Sequence, residues 1–364
     1  MIDLVPLIDT LGENGAALAG GAALGLIFGI AAQRSAFCTR SAVLGLVNGT
    51  GLKPLATWAT GFAAAILGVQ LLLWAGLIDV AETRFFSTAQ SLSGALIGGA
   101  LFGLGMVLAR GCVSRHLVLA SSGNLRAAVT ILIIAATGLA TYSGILVPLR
   151  DSIGALASTA DIGGNDLQAQ AGLPQGAGVV AGLVLAAIAL SLVFVARLSP
   201  ARALGGLLVG LAVVGGWYFT HALSTQVFEP IQAESLSFIR PLATTSELAA
   251  GGEEAGFGLD QGVLLGTIAG ALLAALLSGT FRIEGFRTAG AAPLWRYVSG
   301  AVLMGFGGIL AVGCTIGAGF TGGSVLAISS LAGLASMIGA AAISGRLLDG
   351  KAASPAPAVL APAE

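Results

Sequence analysis

Residues 98–112 read GGALFGLGMVLARGC, and residues 300–314 read GAVLMGFGGILAVGC; the two align without a gap and agree at eight of fifteen positions. Four of the eight identities are glycines, and both copies end in Gly-Cys, at Gly111-Cys112 and Gly313-Cys314. The chain has only three cysteines. Finding two of them at matching places indicates a duplicated backbone design.

Composition sets the medium. The 364 residues are 56% hydrophobic and 9% charged, with a mean hydropathy of +0.96, which is the make-up of a membrane protein. The 56 glycines agree, because small residues let helices approach closely where no hydrophobic effect presses them together. Nothing in the charge pattern suggests nucleic acid. The N-terminus, MIDLVPLIDTLGENG, is acidic and does not resemble a cleaved signal peptide. No C-x-x-C occurs, so neither a disulfide framework nor a zinc site is expected.

A bilayer core needs roughly 20 apolar residues per helix. Nine segments qualify: 15–33, 55–78, 88–109, 127–148, 176–196, 203–219, 261–281, 298–313 and 324–344, the sixth and eighth being short. Alternating the loops between two sides separates the charges. One side takes Arg34, Arg40, Lys53, Arg110, Arg115, Arg126, Arg197, Arg202, Arg282, Arg287, Arg296, Arg346 and Lys351, and the other only Arg84, Arg150 and Arg240. The positive-inside rule makes the arginine-rich side cytoplasmic, with the N-terminus outside and the C-terminus inside. With three basic residues outside, no broad basic outer face is evident. Connections 149–175 and 220–260 fall outside and are expected to be part loop, part surface helix. The Ala/Pro tail, 352–364, is expected to be disordered.

The duplication extends further. Gly25-Leu26-Ile27-Phe28-Gly29 matches Gly206-Leu207-Leu208-Val209-Gly210, and the same offset carries Phe37-Cys38-Thr39 onto Tyr218-Phe219-Thr220. Five spans separate matching elements, so the copies cross the membrane in opposite directions. The expected fold is an all-α polytopic membrane protein of about nine transmembrane helices in two inverted pseudo-symmetric repeats. The first repeat is 17–148, the second 203–346, and 149–202 supplies an outer loop and connector helix. Inverted repeats are a recurrent plan of transporters, whose substrate site lies between the halves.

The candidate chemistry lies at span ends. In Gln33-Arg34-Ser35-Ala36-Phe37-Cys38-Thr39-Arg40, two arginines, hydroxyls and a thiol follow an apolar segment. Arg34 and Arg40 also suit a role as interfacial anchors. Arg110-Gly111-Cys112-Val113-Ser114-Arg115-His116 is the second such site. Its copy, Gly313-Cys314-Thr315-Ile316-Gly317-Ala318-Gly319, is uncharged and glycine-rich, a poor continuous helix. Irregular backbone cannot face lipid, so this segment must be buried or line a cavity. N–H groups at a helix restart suit an anion. A neutral thiol is a weak donor and a soft acceptor, which fits a sulfur-containing anion. Cys38, Cys112, Cys314, Gly111, Gly313 and Thr315 are therefore the candidate substrate-binding positions, and Arg34, Arg40, Arg110 and Arg115 could attract an anion. His116 and His221 sit at span ends and are expected at the interface. No P-loop, H-E-x-x-H or dinucleotide fingerprint is present, so no cofactor or metal is expected, and no ATP-driven step is indicated.

Arg34-Ser35-Ala36-Phe37-Cys38, Ala109-Arg110-Gly111-Cys112 and Gly313-Cys314-Thr315-Ile316-Gly317-Ala318-Gly319 together resemble the YeeE/YedE family of inner-membrane proteins, over about residues 17–346. The resemblance implies an hourglass-like inverted-repeat fold with short re-entrant helices dipping into the bilayer. It implies thiosulfate import, with the ion handed along Cys38, Cys112 and Cys314 by S–H hydrogen bonds, and no enzymatic turnover. It also implies a bacterial-type cytoplasmic membrane and a small TusA-like cytoplasmic sulfur-carrier protein as partner. Transport of sulfite or another sulfur or selenium oxyanion is the alternative, as is a membrane thiol sulfurtransferase.

Overall fold

The computed structural model describes residues 2–174, 176–227, 231–251, 257–286 and 292–349. In chain order the α-helices are α1 (Val5–Ser35), α2 (Thr39–Val47), α3 (Lys53–Trp74), α4 (Leu92–Leu108), α5 (Val113–Ser121), α6 (Leu125–Tyr142), α7 (Val147–Gly154), α8 (Leu167–Gln170), α9 (Ala177–Val195), α10 (Pro200–Ser224), α11 (Ile239–Ala249), α12 (Leu259–Leu277), α13 (Leu294–Leu310) and α14 (Ile328–Leu348). A wide-turned π-helix, Thr315–Gly322, lies between the last two. Among the described residues, nine helical segments are long and apolar enough to cross a membrane, α1–α2, α4–α5 and α13 with the π-helix each counting as one.

Glycine ridges determine how these helices meet. On α1, Gly21, Gly25 and Gly29 face the carbonyl oxygens of Leu259, Val263 and Thr267 on α12. Reciprocally, Gly262, Gly266 and Gly270 face those of Leu18, Ala22 and Leu26. A methyl group at any of the six would overlap the facing backbone, so the four-residue glycine spacing on both helices sets the contact distance. The duplicated stretches pack on each other in the same way. Gly98 on α4 faces Gly307 on α13, and Gly105 faces Gly300, so the two helices run antiparallel. Packing partners also correspond: α1 lies on α12 and α10 on α3, α4 on α14 and α13 on α6. α9, exposed along much of its length, packs on α3 at the periphery.

Several boundaries differ from those expected. α1 begins at Val5 and bends at Gly12, where φ is 73°, a left-handed conformation that favours glycine; the segment after the bend corresponds to 15–33. The sixth span, α10, is 25 residues long rather than short. α10 continues through Tyr218, Phe219 and Thr220, whereas the matching Phe37-Cys38-Thr39 lies at the break between α1 and α2. Within 220–260, α11 is not a surface helix. It buries Ile239, Pro241, Leu242 and Ala243 and packs against α6 and α12. Arg287, Lys351 and the tail 352–364 lie outside the described residues.

Candidate functional site

Each cysteine heads a helix that restarts after a break. Just past the ends of α1, α4 and α13 lie Ala36, Arg110 and Val312, three non-glycine residues with φ of 53°, 66° and 56°. The same turn closes all three helices. The N–H of the following residue bonds back to the fifth carbonyl before it: Phe37 to Ala32 (3.1 Å), Gly111 to Met106 (3.0 Å) and Gly313 to Gly308 (2.9 Å). A left-handed L-residue costs roughly 1–2 kcal/mol, and the described residues accept it at five places, these three with Arg197 and Leu326, of which only these three lead into a cysteine. Two residues after each of the three, a cysteine in extended conformation occupies the N-cap of α2, α5 or the π-helix. Its side chain makes no standard capping bond there.

Cys314 is fully buried. Backbone amides of Ile316 and Gly317 from its own turn, and of Phe238 and Ile239 at the start of α11, are directed at its sulfur. Two chain restarts thus converge on one thiol. Beside it, the hydroxyls of Thr315 and Ser237 are buried without a hydrogen-bond partner, and a Cβ on Gly317 would lie 2.6 Å from the Ser237 Oγ. Ile239, Val312 and Gly313 also form part of the wall of a cavity of about 370 Å³.

That cavity brings together Arg84, Arg150 and Arg240, the three basic residues of the arginine-poor side. Two of them are spoken for. Arg240 pairs with Glu234 and holds Asp260 at 2.9 and 3.0 Å. Arg150 bonds Asp151 at 2.8 Å and the Tyr142 carbonyl at 2.8 Å. Arg84 differs: its guanidinium stacks on the Phe85 ring at 4.9 Å, and its Nε and one Nη are buried with no partner. Burial, with Arg240 adding to it, lowers the Arg84 pKa, yet a guanidinium remains charged. Burial alone would raise the Glu234 pKa, but Arg240 and Arg84 outweigh it and hold the carboxyl below its ordinary value. Arg150 and Arg240 face three carboxylates, Asp151, Glu234 and Asp260, and Arg84 brings the group to neutrality while keeping open donors.

The other two thiols are together. Cys38 and Cys112 lie in one electrostatic neighbourhood, and the Arg115 guanidinium bears on both. Ser114 Oγ lies 3.4 Å from the Cys112 sulfur, and Ser41 reaches Cys38. Cys38 is 5% exposed and Cys112 fully buried. His116, expected at the interface, is buried within the protein. It is 2% exposed, and its ring fills the space over Gly111, where a Cβ would lie 3.1 Å from Nε2. Arg40 is engaged with Asp349 at 2.6 Å, and Arg34 is exposed at the end of α1.

The candidate residues thus form two groups, Gly313, Cys314 and Thr315 at one, and Cys38, Gly111, Cys112 and Arg115 at the other. The sequence did not single out Arg84, Ser237, Phe238 or Ile239. Arg84 stands alone in a polar loop, and the other three lie in a connection that carries no span signal.

Thiols at the heads of three interrupted helices, one of them beside an arginine-bearing cavity, on nine membrane-length helical segments among the described residues, fit a multi-pass membrane transporter. Residues 34–343 match the family model described as Sulphur transport, and the chain belongs to that family. It is 27% identical over 322 residues to the thiosulfate transporter TsuA of Spirochaeta thermophila (strain ATCC 700085 / DSM 6578 / Z-1203), covering 85% of this chain and 92% of the relative.

Proposed function

We propose that the chain imports thiosulfate across a bacterial-type cytoplasmic membrane, from the side bearing Arg84, Arg150 and Arg240 to the arginine-rich side. The observation that carries this reading is the Arg84 guanidinium, with buried open donors, in a cavity whose wall includes Gly313, the residue before Cys314. Thiosulfate has a hard, oxygen-bearing end and a soft terminal sulfur. Arg84 and the amides around Cys314 suit the oxygens, and the S–H suits the sulfur. The ion would then pass to Cys112 and Cys38, whose neighbouring Arg115 offsets its charge. Neutral thiols would replace part of the hydration shell at each stage, with no covalent step.

The orientation rests on the arginine distribution, N-terminus outside and C-terminus inside. Residues 17–148 and 203–346 act as inverted repeats in this reading. The crossed contacts of Gly98 with Gly307 and Gly105 with Gly300 support it, since each copy's first glycine faces the other's third. A TusA-like carrier as recipient rests on the family resemblance.

Initial rates of labelled thiosulfate uptake test the reading in cells lacking other thiosulfate importers. Arg84→Gln and Cys314→Ala should each depress uptake on the order of tenfold or more at equal expression. Uptake near wild type in both would remove the proposal. Competition by unlabelled sulfite or selenium oxyanions decides between thiosulfate and the alternative anions.

A further inference from the structure

On the arginine-rich side, α14 ends at Asp349, whose side chain is 7% exposed. One carboxylate oxygen accepts from Arg40 at 2.6 Å and the other from Arg296 at 2.9 Å. The two arginines come from different elements. Arg40 lies in the first turn of α2, two residues after Cys38, and Arg296 in the first turn of α13. Arg110, from the break that precedes Cys112, also bears on Arg40.

Two features are unusual for a purely structural ion pair. First, two guanidinium groups share one carboxylate, leaving one positive charge uncompensated among the three groups. Second, the Nε of Arg40 and the Nε of Arg296 are both buried and without a hydrogen-bond partner. A planar carboxylate engages a single Nη on each arginine and leaves both Nε groups dry, an uncompensated cost of desolvation. A tetrahedral oxyanion carries more oxygens and up to two charges. It matches both the spare charge and the spare donors.

We propose that Arg40 and Arg296 form a second oxyanion site at the exit end of the Cys38–Cys112 pair, and that Asp349 occupies it as a tethered competitor which the arriving ion displaces. The inference rests on the transport reading for the identity of the ion. The site itself is defined by the two arginines. A competitor of this kind keeps the exit closed by an internal ion pair while the route is empty, and lowers the affinity of the last stop so that the ion leaves. Tethering gives the carboxylate an effective concentration in the millimolar range, comparable to a solute competing from the cytoplasm.

The test is equilibrium binding of labelled thiosulfate to the purified full chain in detergent, with Arg84→Gln as background so that the cavity site contributes little. Adding Asp349→Asn should raise the affinity of the remaining site by roughly tenfold or more. Adding Arg40→Gln should then abolish the gain. Unlabelled sulfate should displace the label from the unmasked site. Asp349→Ser serves as a second unmasking variant should Asn fail to give a monodisperse protein. Unchanged affinity in monodisperse Asp349 variants, or a gain that survives Arg40→Gln, overturns the proposal. Failure of the transport reading is separate: it is seen as absent thiosulfate uptake in the wild type, while the binding comparison, with sulfate as probe, still decides whether Asp349 masks an anion site.

Discussion

Gly98 and Gly307 meet so closely that a Cβ on Gly98 would lie 2.6 Å from the Gly307 carbonyl oxygen. The contact joins the two copies of the duplicated stretch, which end at Cys112 and Cys314. Because the two helices are antiparallel, the contact fixes their lateral separation, while the two thiol-bearing breaks lie at opposite ends of the pair. Gly98→Leu or Gly307→Leu should force α4 and α13 apart, at a cost of about 1–3 kcal/mol or more. Gly339 on α14 is the control, because a Cβ there meets nothing within 4 Å. Gly339→Ala should be neutral or raise stability by up to about 1 kcal/mol. Thermal melting of the detergent-purified variants and their yield of monodisperse protein provide the comparison.

The cavity arginines should separate functionally. Arg84 alone has buried donors with no partner, whereas Arg150 is committed to Asp151 and backbone carbonyls. Arg84→Lys keeps the charge but loses the stack on Phe85 and the planar fork. Uptake at low thiosulfate should fall most in Arg84→Gln, less in Arg84→Lys and least in Arg150→Gln. Equal losses in Arg84→Gln and Arg150→Gln would contradict the assignment.

The spans were legible because lipid imposes a simple requirement, a run of about 20 apolar residues whatever the rest of the fold does. The Gly-Cys ends were legible for a similar reason, since glycine-rich, hydroxyl-rich sequence cannot continue a lipid-facing helix. What escaped has equally specific causes. The start of α1 carries Asp9 and Glu13, which look like loop, and the bend at Gly12 falls between them, ahead of the apolar part. α11 carries Thr244, Thr245, Ser246 and Glu247 on its latter half and reads as surface, although its first turn is buried against α6 and α12. Arg84, Arg150 and Arg240 come from three connections far apart in the chain. Only the tertiary fold places them on one cavity.

Protonation of Glu234 should weaken its pairing with Arg240 in a defined window. The Glu234 pKa is lowered in the folded chain, where Arg240 and Arg84 outweigh burial. A carboxyl with a depressed folded pKa contributes stability above its unfolded value, about 4.3 for Glu, and loses it as pH falls through the folded value. The melting temperature should therefore stay flat in this respect from about pH 7 down to about 5 and decline below about 4. Glu234→Gln should melt lower at neutral pH, by about 1–3 kcal/mol in stability, and show a shallower acid decline. A variant curve parallel to wild type through the acid range would show that Glu234 contributes nothing to it.

The paired thiols provide the sharpest chemical test, because serine keeps a donor at Cys112 while removing the soft sulfur. Cys112 is fully buried, shares the electrostatic neighbourhood of Cys38 and lies 3.4 Å from the Ser114 hydroxyl. If only a hydrogen bond were needed, Cys112→Ser would restore what Cys112→Ala removes. A passage that depends on a polarisable S–H predicts otherwise. The shorter, harder hydroxyl should leave uptake of thiosulfate depressed on the order of tenfold, close to the Ala variant. Cys38→Ser is expected to follow the same pattern, since its thiol lies in the same neighbourhood. Initial uptake rates of the four single variants, normalised to membrane expression, decide the matter. Restoration to near wild-type rates by either serine would mean that the pair serves as an ordinary polar contact and that sulfur softness plays no part.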